Sequence, residues 1–479
     1  MDKRLDPYIK QVYGIDEDTK FEILELQPDE LLTFLRLDIT AKVLYLEGET
    51  AFYKKLYAEH VKAMTKGSCV EAGNPEKNSI DVFCRFFDRL KKDIEENGFD
   101  EGQYLVPVDR NLQILDGAHR AAIALYLKKK ITVIKLDVIA SDKYDYSYFE
   151  KSGMSQEYLD AMVLKYISLK KDIFVANIWP TAVGHYKEIK ELIERYGKFG
   201  IYKEVLLSEE GAFNYLHQIY AQDDWVGNID DKFAGVYRKL HPCFQNKGAV
   251  RVFVFQAENK KTVLELKEKI RDIFRVGKHS VHITDTMEEA LLMGRLLFNT
   301  NSIEFMNQAA VTRYKNSYKS IQKFWKENIY SEEDILITGS SIMALYGICE
   351  ANDIDYVRWN SNGNEHESHN QYIKYYRKNL NELIFDSRNF FYYQNHKYLT
   401  LNCLKEFKKN RGETKDIDDL RLINAFLERN KNSKRQKMKV SFIRKKRRIV
   451  AMVQGQIIRL THKTGTYDLA RNLYHRIKK

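Results

Sequence analysis

The residues Ile114-Leu115-Asp116-Gly117-Ala118-His119-Arg120-Ala121-Ala122-Ile123-Ala124 run from an apolar pair into an Asp-Gly turn, a His-Arg pair and a row of good helix formers. This order predicts a strand, a tight turn that glycine permits, and a helix opening with His119 and Arg120. A helix start offers backbone N–H groups and a positive dipole end, and so favours phosphate. Arg120 adds a planar fork suited to phosphate oxygens, and Asp116 is placed to hold a metal or accept a proton. An ordinary strand-to-helix junction with a solvated basic pair fits the same pattern.

Working outward, Phe87-Asp88-Arg89-Leu90 through Gly98-Phe99-Asp100 reads as a helix ending in a glycine turn, and Val106-Pro107-Val108 and Ile131-Thr132-Val133-Ile134 read as strands. Over residues 65–140 these stretches, with Ile114-Leu115-Asp116-Gly117, resemble the ParB/sulfiredoxin superfamily. Sulfiredoxins carry a cysteine before the His-Arg pair, where this chain has Ala118, so sulfinic-acid repair is excluded. The resemblance then implies the superfamily's other habit, binding a nucleotide phosphate at this turn through Gly117, His119 and Arg120, with Asp116 on metal or as base. The kinase-like branch is the nearer analogy, since partition proteins add a helix-turn-helix region that is not recognisable here. In that branch the catalytic carboxylate corresponds to Glu71. Glu71 and Lys77 bound a glycine- and proline-marked loop, Glu71-Ala72-Gly73-Asn74-Pro75-Glu76-Lys77, which either completes a phosphate or metal site beside Asp116 or is simply solvated.

The 479 residues suggest about three domains. With 44% hydrophobic and 30% charged residues the composition is that of a globular chain. The five cysteines (Cys69, Cys84, Cys243, Cys349, Cys403) are scattered and form no C-x-x-C pair, which argues for a reducing compartment and against a disulfide framework or structural zinc. The opening Met1-Asp2-Lys3-Arg4-Leu5-Asp6 is not followed by an apolar signal core, and no apolar run reaches about 18 residues. The expectation is a cytoplasmic protein, peripheral at most on the inner membrane face. The net charge of +11 is unevenly placed: residues 431–479 hold 16 Lys and Arg and one acid, Asp468, while the remainder holds 62 basic and 66 acidic residues. A slightly acidic body is a poor surface for a phosphodiester backbone, so nucleic acid is not the expected partner.

Residues 1–66 read as helical, with stripes at Leu31, Leu32, Phe34, Leu35 and at Phe52, Leu56, Tyr57. From residue 150 strands and helices alternate: Ile173–Trp179, a helix over 186–196, Val250–Phe255, a helix opened by Thr262 with Glu265 as a capping box, Val281–Asp285, and a helix capped by Thr286 and Glu289. Alternation of this kind predicts an open, largely parallel α/β sheet, with ligands where strands end and helices begin. His279, His282, Asp285, Glu288 and Glu289 fall at such a place. The two glutamates need no ligand at a positive helix end; His282 and Asp285 are kept as a third candidate site, for metal or phosphate.

Ile335-Leu336-Ile337-Thr338 is followed by Gly339-Ser340-Ser341, a short helix, and Asp353-Ile354-Asp355-Tyr356, with twelve residues between Ser340 and Asp353. Strand alternation places Asp353 and Asp355 on one face, about 7 Å apart. Two such carboxylates can share divalent metal on nucleotide phosphates, while Gly339 allows close approach and Ser340 holds a phosphate. This combination resembles the DNA polymerase β-like nucleotidyltransferase superfamily over residues 330–428. Phe390–Tyr393 with Lys397–Thr400 resembles its hairpin, and Leu404–Phe407 through Arg411, Lys415, Asp416 and Asp419 its lysine-arginine-aspartate helices. Members add a third carboxylate, for which Asp386 is the nearest candidate.

In the tail, Arg444-Lys445-Lys446-Arg447-Arg448 precedes Ile449, Val450, Met452, Val453, Ile457, Ile458 and Leu460, a segment suited to an anionic lipid surface, to RNA, or to packing on the body. The expected organisation is therefore a multidomain α/β and α+β chain: a helical segment and ParB/sulfiredoxin-like domain (1–150), an α/β domain (151–325), a nucleotidyltransferase-like domain (326–430) and a basic amphipathic tail (431–479). The whole resembles multidomain proteins of bacterial capsule and surface-polysaccharide biosynthesis. That resemblance implies a kinase or nucleotidyltransferase using Mg²⁺ and a nucleoside tri- or diphosphate, with ATP expected, on a sugar or polyol acceptor, lipid-linked in one version. The competing expectations are a nucleic-acid-associated ParB-like protein and a nucleotide-binding scaffold without catalysis.

Overall fold

A computed structural model describes residues 5–48, 50–99, 105–246, 248–328, 331–359 and 369–429, together with 449, 453, 456, 457, 459–461, 463, 464, 466 and 470 of the C-terminal stretch. The chain is a mixed α/β protein with several small sheets. It divides into two compact units, Met1–Tyr166 with Arg435–Lys479, and Ile167–Lys434. Among the described residues no helix is long and apolar enough to cross a membrane.

The first unit runs α1 (Pro7–Tyr13), β1 (Phe21–Leu26), α2 (Asp38–Glu47), α3 (Ala51–Met64), α4 (Ile80–Asn97), β2 (Val106–Val108), α5 (Ala118–Leu127), β3 (Ile131–Leu136), α6 (Tyr146–Lys151) and α7 (Gln156–Leu169), which crosses into the second unit. Its sheet has the order β1-β3-β2, with β1 antiparallel and β2 parallel to β3. The expectation of an all-helical 1–66 is corrected here: Phe21–Leu26 is a strand. Phe21 and Ile23 are 49% and 45% exposed, so no buried stripe marked it, and pairing with β3 alone defines it. The strand expected at Ile114-Leu115 is also reduced, to one bridge between Ile114 and Val108. The Ile114 carbonyl accepts from Arg36 Nη1 at 2.5 Å. Helix α4 follows its sequence: Ser79 caps it by accepting from the Val82 N–H, and Gly98 ends it at φ 78°.

The second unit opens with β4 (Ile173–Ile178), α8 (Tyr186–Tyr196), β5 (Lys198–Val205), α9 (Glu209–Ile219), α10 (Tyr237–Cys243), β6 (Val250–Gln256), α11 (Lys260–Phe274), β7 (Val281–Ile283), α12 (Met287–Leu297), α13 (Thr300–Gln308) and α14 (Lys315–Glu327). The sheet order is β5-β6-β4-β7 and every neighbouring pair is antiparallel, which overturns the expected largely parallel sheet. Each crossover, β4-α8-β5 and β6-α11-β7, returns parallel to its start but one strand's width away, and a strand of the other half fills the gap. This is the split βαββαβ arrangement. Alternating strands and helices do not tell which strand becomes the neighbour. Helices α8 and α11 bury Ile189, Ile193, Val263, Leu266 and Ile270 against Phe174, Ala176, Ile178, Phe253 and Phe255 on one face. The cap of α11 is Asn259, which accepts from the Thr262 N–H, rather than the Thr262–Glu265 box. Thr286 does cap α12, by accepting from the Glu289 N–H at 3.2 Å.

The same unit continues through β8 (Ile335–Thr338), α15 (Ser340–Leu345), β9 (Asp355–Arg358), α16 (Leu380–Phe385), β10 (Phe390–Tyr393), β11 (His396–Leu399), α17 (Leu401–Arg411) and α18 (Thr414–Arg429). The sheet order is β10-β11-β8-β9, with β11 parallel to β8 and the other pairs antiparallel. The β10–β11 hairpin turns at Gln394 and Asn395, both with positive φ, the conformation that suits the twist of a two-residue hairpin. Asn301 on α13 donates to the Ser387 and Phe390 carbonyls, and His217 on α9 meets the Tyr393 hydroxyl at 3.0 Å, so the two sheets of this unit share one interior.

Candidate functional site

In the first unit the Asp-Gly turn is built on a buried chain of polar groups. The largely apolar α2 helix carries Asp38 and Lys42, one turn apart and both buried. Asp38 accepts from Arg36 Nε and Nη2, each at 2.9 Å, and from Lys42 Nζ at 2.7 Å. These two cations hold the Asp38 carboxyl far below the usual carboxylate range in spite of its burial. Lys42 Nζ also lies 3.1 Å from His60 Nε2, and His60 Nδ1 lies 2.8 Å from the Tyr57 carbonyl. A carbonyl only accepts, so Nδ1 carries the proton and Nε2 accepts from Lys42. Burial, with the Lys42 charge beside it, pushes the His60 pKa down to about 3. The Tyr57 hydroxyl and His119 Nε2 are 2.8 Å apart, and the His119 ring stands edge-on to Phe87. Burial, then Lys42, Lys77 and His60, push His119 well below its ordinary value, so it is neutral at pH 7.

Around this chain the expected residues take definite places. Gly117 caps α5 at φ 89° with no side chain of its own, and a Cβ there would stand 2.8 Å from Arg120 Nε. Arg120 Nη2 donates to Asp116 Oδ2 at 2.7 Å and Nη1 to the Leu105 carbonyl at 2.9 Å, so its fork turns back onto the turn rather than outward. Lys77 Nζ pairs with Glu71 Oε2 at 2.7 Å. The Glu71 charge is felt at Tyr57 and Lys42, and that of Lys77 at His119, which places this loop beside the buried chain. Of the tail, Arg459 Nε donates to the Ser68 carbonyl at 2.6 Å, at the root of the same loop. The basic run Arg444–Arg448, on which the lipid expectation rests, lies outside the described residues.

In the second unit β8 ends at Thr338, and Gly339 (φ 68°, ψ −151°) turns the chain into α15. That conformation belongs to glycine. Asp355 opens β9 opposite Thr338, and its carboxylate lies where a Cβ of residue 339 would be. Asp353 is not on the strand as expected but in the bend before it, held by Ser340 Oγ at 3.4 Å to its carboxylate and Ser341 Oγ at 3.2 Å to its carbonyl. His369 Nε2 stands 3.7 Å from Asp355 Oδ1, and its Nδ1 continues to the Tyr376 hydroxyl (3.1 Å), which meets Thr338 Oγ1 (2.8 Å). Desolvation lowers the His369 pKa, opposed by Asp355. Behind the pair, Arg411 grips Asp416 at 2.8 and 2.7 Å, and Lys408 reaches Asp419 at 2.6 Å, locking α17 to α18. Arg411 also feels the Asp355 charge.

This donor set fits Mg²⁺ in one way only. Among the described residues no three His, Cys, Asp or Glu side chains are grouped to hold a metal, and Asp386 is gripped by Arg388 at 2.6–3.1 Å. Two carboxylates suit an Mg²⁺ ion whose remaining ligands are nucleotide phosphates and water. Gly339→Ala is expected to cost about 1–3 kcal/mol and to displace Asp355. Urea denaturation of the variant measures it, and an unchanged midpoint would contradict the packing.

Of the third candidate pair, Asp285 lies 3.8 Å from Lys260 and its N–H is capped by Glu289, while His282 meets the Tyr220 hydroxyl at 3.2 Å. The groups acting on His282 are cations, Lys267, Lys239 and Arg271, which do not suit a metal. The residues missed by sequence reasoning are Arg36, Asp38, Lys42, Tyr57, His60 and His369. An acid and a lysine four apart inside an apolar helix were the readable signal for the α2 pair; nothing local marked His369. No family model, curated protein or solved structure matches the chain.

Proposed function

We propose that this chain transfers a nucleotidyl or phosphoryl group from a nucleoside triphosphate, ATP in the first instance, to a hydroxyl of a sugar or polyol, with the reaction centre in the second unit. The observation that carries the reading is the packing of Asp355 against Gly339 with Ser340 on Asp353. It gathers two carboxylates, a hydroxyl and a helix start within seventeen residues of chain. Gly339 and Ser340 receive phosphate oxygens, and Asp353 and Asp355 hold Mg²⁺, which when bound neutralises phosphate charge. His369 and the Arg411–Asp416 clamp position Asp355. Phosphoryl chemistry asks little more of a protein than such positioning and electrostatic stabilisation.

The first unit is read as a binding module. Its Arg120 is tied to Asp116, so a nucleotide phosphate there would have to displace that pair or use the α5 start with Lys77 and His119. A polysaccharide intermediate as acceptor rests on the resemblance of the whole chain, and a lipid-surface role for the tail on its charge.

Thermal shift with ATP, with and without Mg²⁺, tests the assignment on the full chain and on Asp353→Ala and Arg120→Ala. Ligand at a hundredfold excess over Kd adds about 2.7 kcal/mol. A Mg²⁺-dependent shift is expected that is lost in Asp353→Ala and kept in Arg120→Ala. The reverse pattern would move the nucleotide to the first unit, and no shift in the parent chain would overturn the nucleotide-dependent reading.

A further inference from the structure

The C-terminal stretch, which belongs to the first unit, presents an apolar face to water. Its described residues 449, 453, 456, 457, 459, 460, 461 and 463 are helical. Ile449, Val453, Ile457 and Leu460 are 51%, 49%, 56% and 66% exposed. They stand four, four and three residues apart, a spacing that sets side chains on one side of a helix, within an arc of about 80°. A helical stripe of this kind is ordinarily buried, and aliphatic side chains left together in water mark an interaction surface. Arg459 points to another side, and its Nε donates to the Ser68 carbonyl at 2.6 Å. The stretch is thus tied to the first unit through a polar residue while its aliphatic residues remain uncovered.

Charge decides what covers them. Residues 431–479 hold 16 Lys and Arg against Asp468 alone, and five of the cations, Arg444–Arg448, directly precede Ile449. A second copy of the tail would set like charge against like. RNA answers the charge and not the face: single strands are held by aromatic stacking beside the cations, and residues 444–460 contain no Phe, Tyr or Trp. An anionic bilayer answers both, with phosphate headgroups for the basic run and the acyl boundary for the aliphatic side chains. A segment of this length lies in the interface and does not span it. We propose that residues 444–460 dock the first unit on an anionic lipid bilayer, with Ile449, Val453, Ile457 and Leu460 as the inserted face. The proposal rests on the lipid-surface role read from the tail's charge, adds the side chains that enter the bilayer, and needs nothing of the Asp353–Asp355 site.

The full-length protein is sedimented with vesicles of phosphatidylcholine alone and of phosphatidylcholine mixed with phosphatidylglycerol. The parent chain is expected to sediment with the mixed vesicles only, and less so at high salt. The double variant Ile457→Gln, Leu460→Gln keeps every charge and alters only exposed positions, and its binding is expected to weaken by about tenfold or more. Lys445→Gln with Lys446→Gln tests the charge by itself and is expected to weaken binding as well. Weakening in the lysine variant with none in the apolar one would overturn the inserted face and leave the charge role standing. A parent chain that ignores the mixed vesicles would overturn both. A parent that is dimeric without lipid, and monomeric as the apolar variant, would give the face to a second copy and overturn the proposal.

Discussion

Asp38→Asn is expected to destabilise the first unit by about 3–5 kcal/mol, the cost of leaving buried charge without its partner. Asparagine keeps the shape of the side chain and removes its charge. Arg36 and Lys42, both buried, would then face one another with no anion between them. His60 and the Ile114 carbonyl cannot compensate, because each already receives one of these donors. The loss should carry through Tyr57 to His119 and loosen the α5 start. All four tryptophans lie between residues 179 and 359, in the second unit, so their fluorescence ignores the first. Far-UV circular dichroism sees both. A urea titration should therefore show a destabilised dichroism transition. If Asp38→Asn costs less than about 1 kcal/mol, the α2 network is not the support described.

Acid should unfold the protein well above the range where carboxylates protonate. Burial pushes His60 and His282 down to about 3, His217 and His396 to about 4, and His119 well below its ordinary value. In the unfolded chain each titrates near pH 6.5. As pH falls from about 6.5 to about 4 the unfolded state takes up protons that the folded state refuses. The stability present at neutral pH is thus lost over that window, by about 1.4 kcal/mol per pH unit for each group. Asp38 and Glu333, held low by their cations, add their own loss only below about pH 4. Urea midpoints at pH 7, 6 and 5 measure the effect. Tryptophan fluorescence follows His217, His282 and His396, which share its unit. An unchanged midpoint between pH 7 and 5 would mean these rings are not buried in neutral form.

What the sequence disclosed, it disclosed locally. The glycine at 339, the helix after it and the aspartates beyond it were legible because a special backbone conformation and its neighbours sit within seventeen residues. The α12 cap and the end of α4 were legible for the same reason. Strand direction was not: β4 and β5 look the same in sequence whether β6 passes between them or beside them. Nor was the fate of Arg120, since its carboxylate and carbonyl partners are set by a fold-back that charge spacing leaves open. The α2 pair lay in plain sight, as opposite charges at Asp38 and Lys42 in a largely apolar run to Leu46, where the run argued for burial and burial demanded partners. Phe21–Leu26 failed for the opposite reason, being a strand with four of its six residues exposed.

The order of strands in the split sheet also sets a timetable for the nascent chain. Residues 173–178 pair with residues 251–256, so the innermost strand leaves the ribosome more than seventy residues before its partner exists. At ordinary synthesis speed that is a wait of about four to fifteen seconds. During it a fully apolar stretch, Ile173-Phe174-Val175-Ala176, has only the helices α8, α9 and α10 and the solitary β5 for company among its own unit's next residues, and β5 cannot zip onto it because its own seat is on the far side of β6. Yield in a foreign host should accordingly respond to chaperone supply and slower translation more than to any surface substitution, since what is at risk is a half-made sheet and not the finished one.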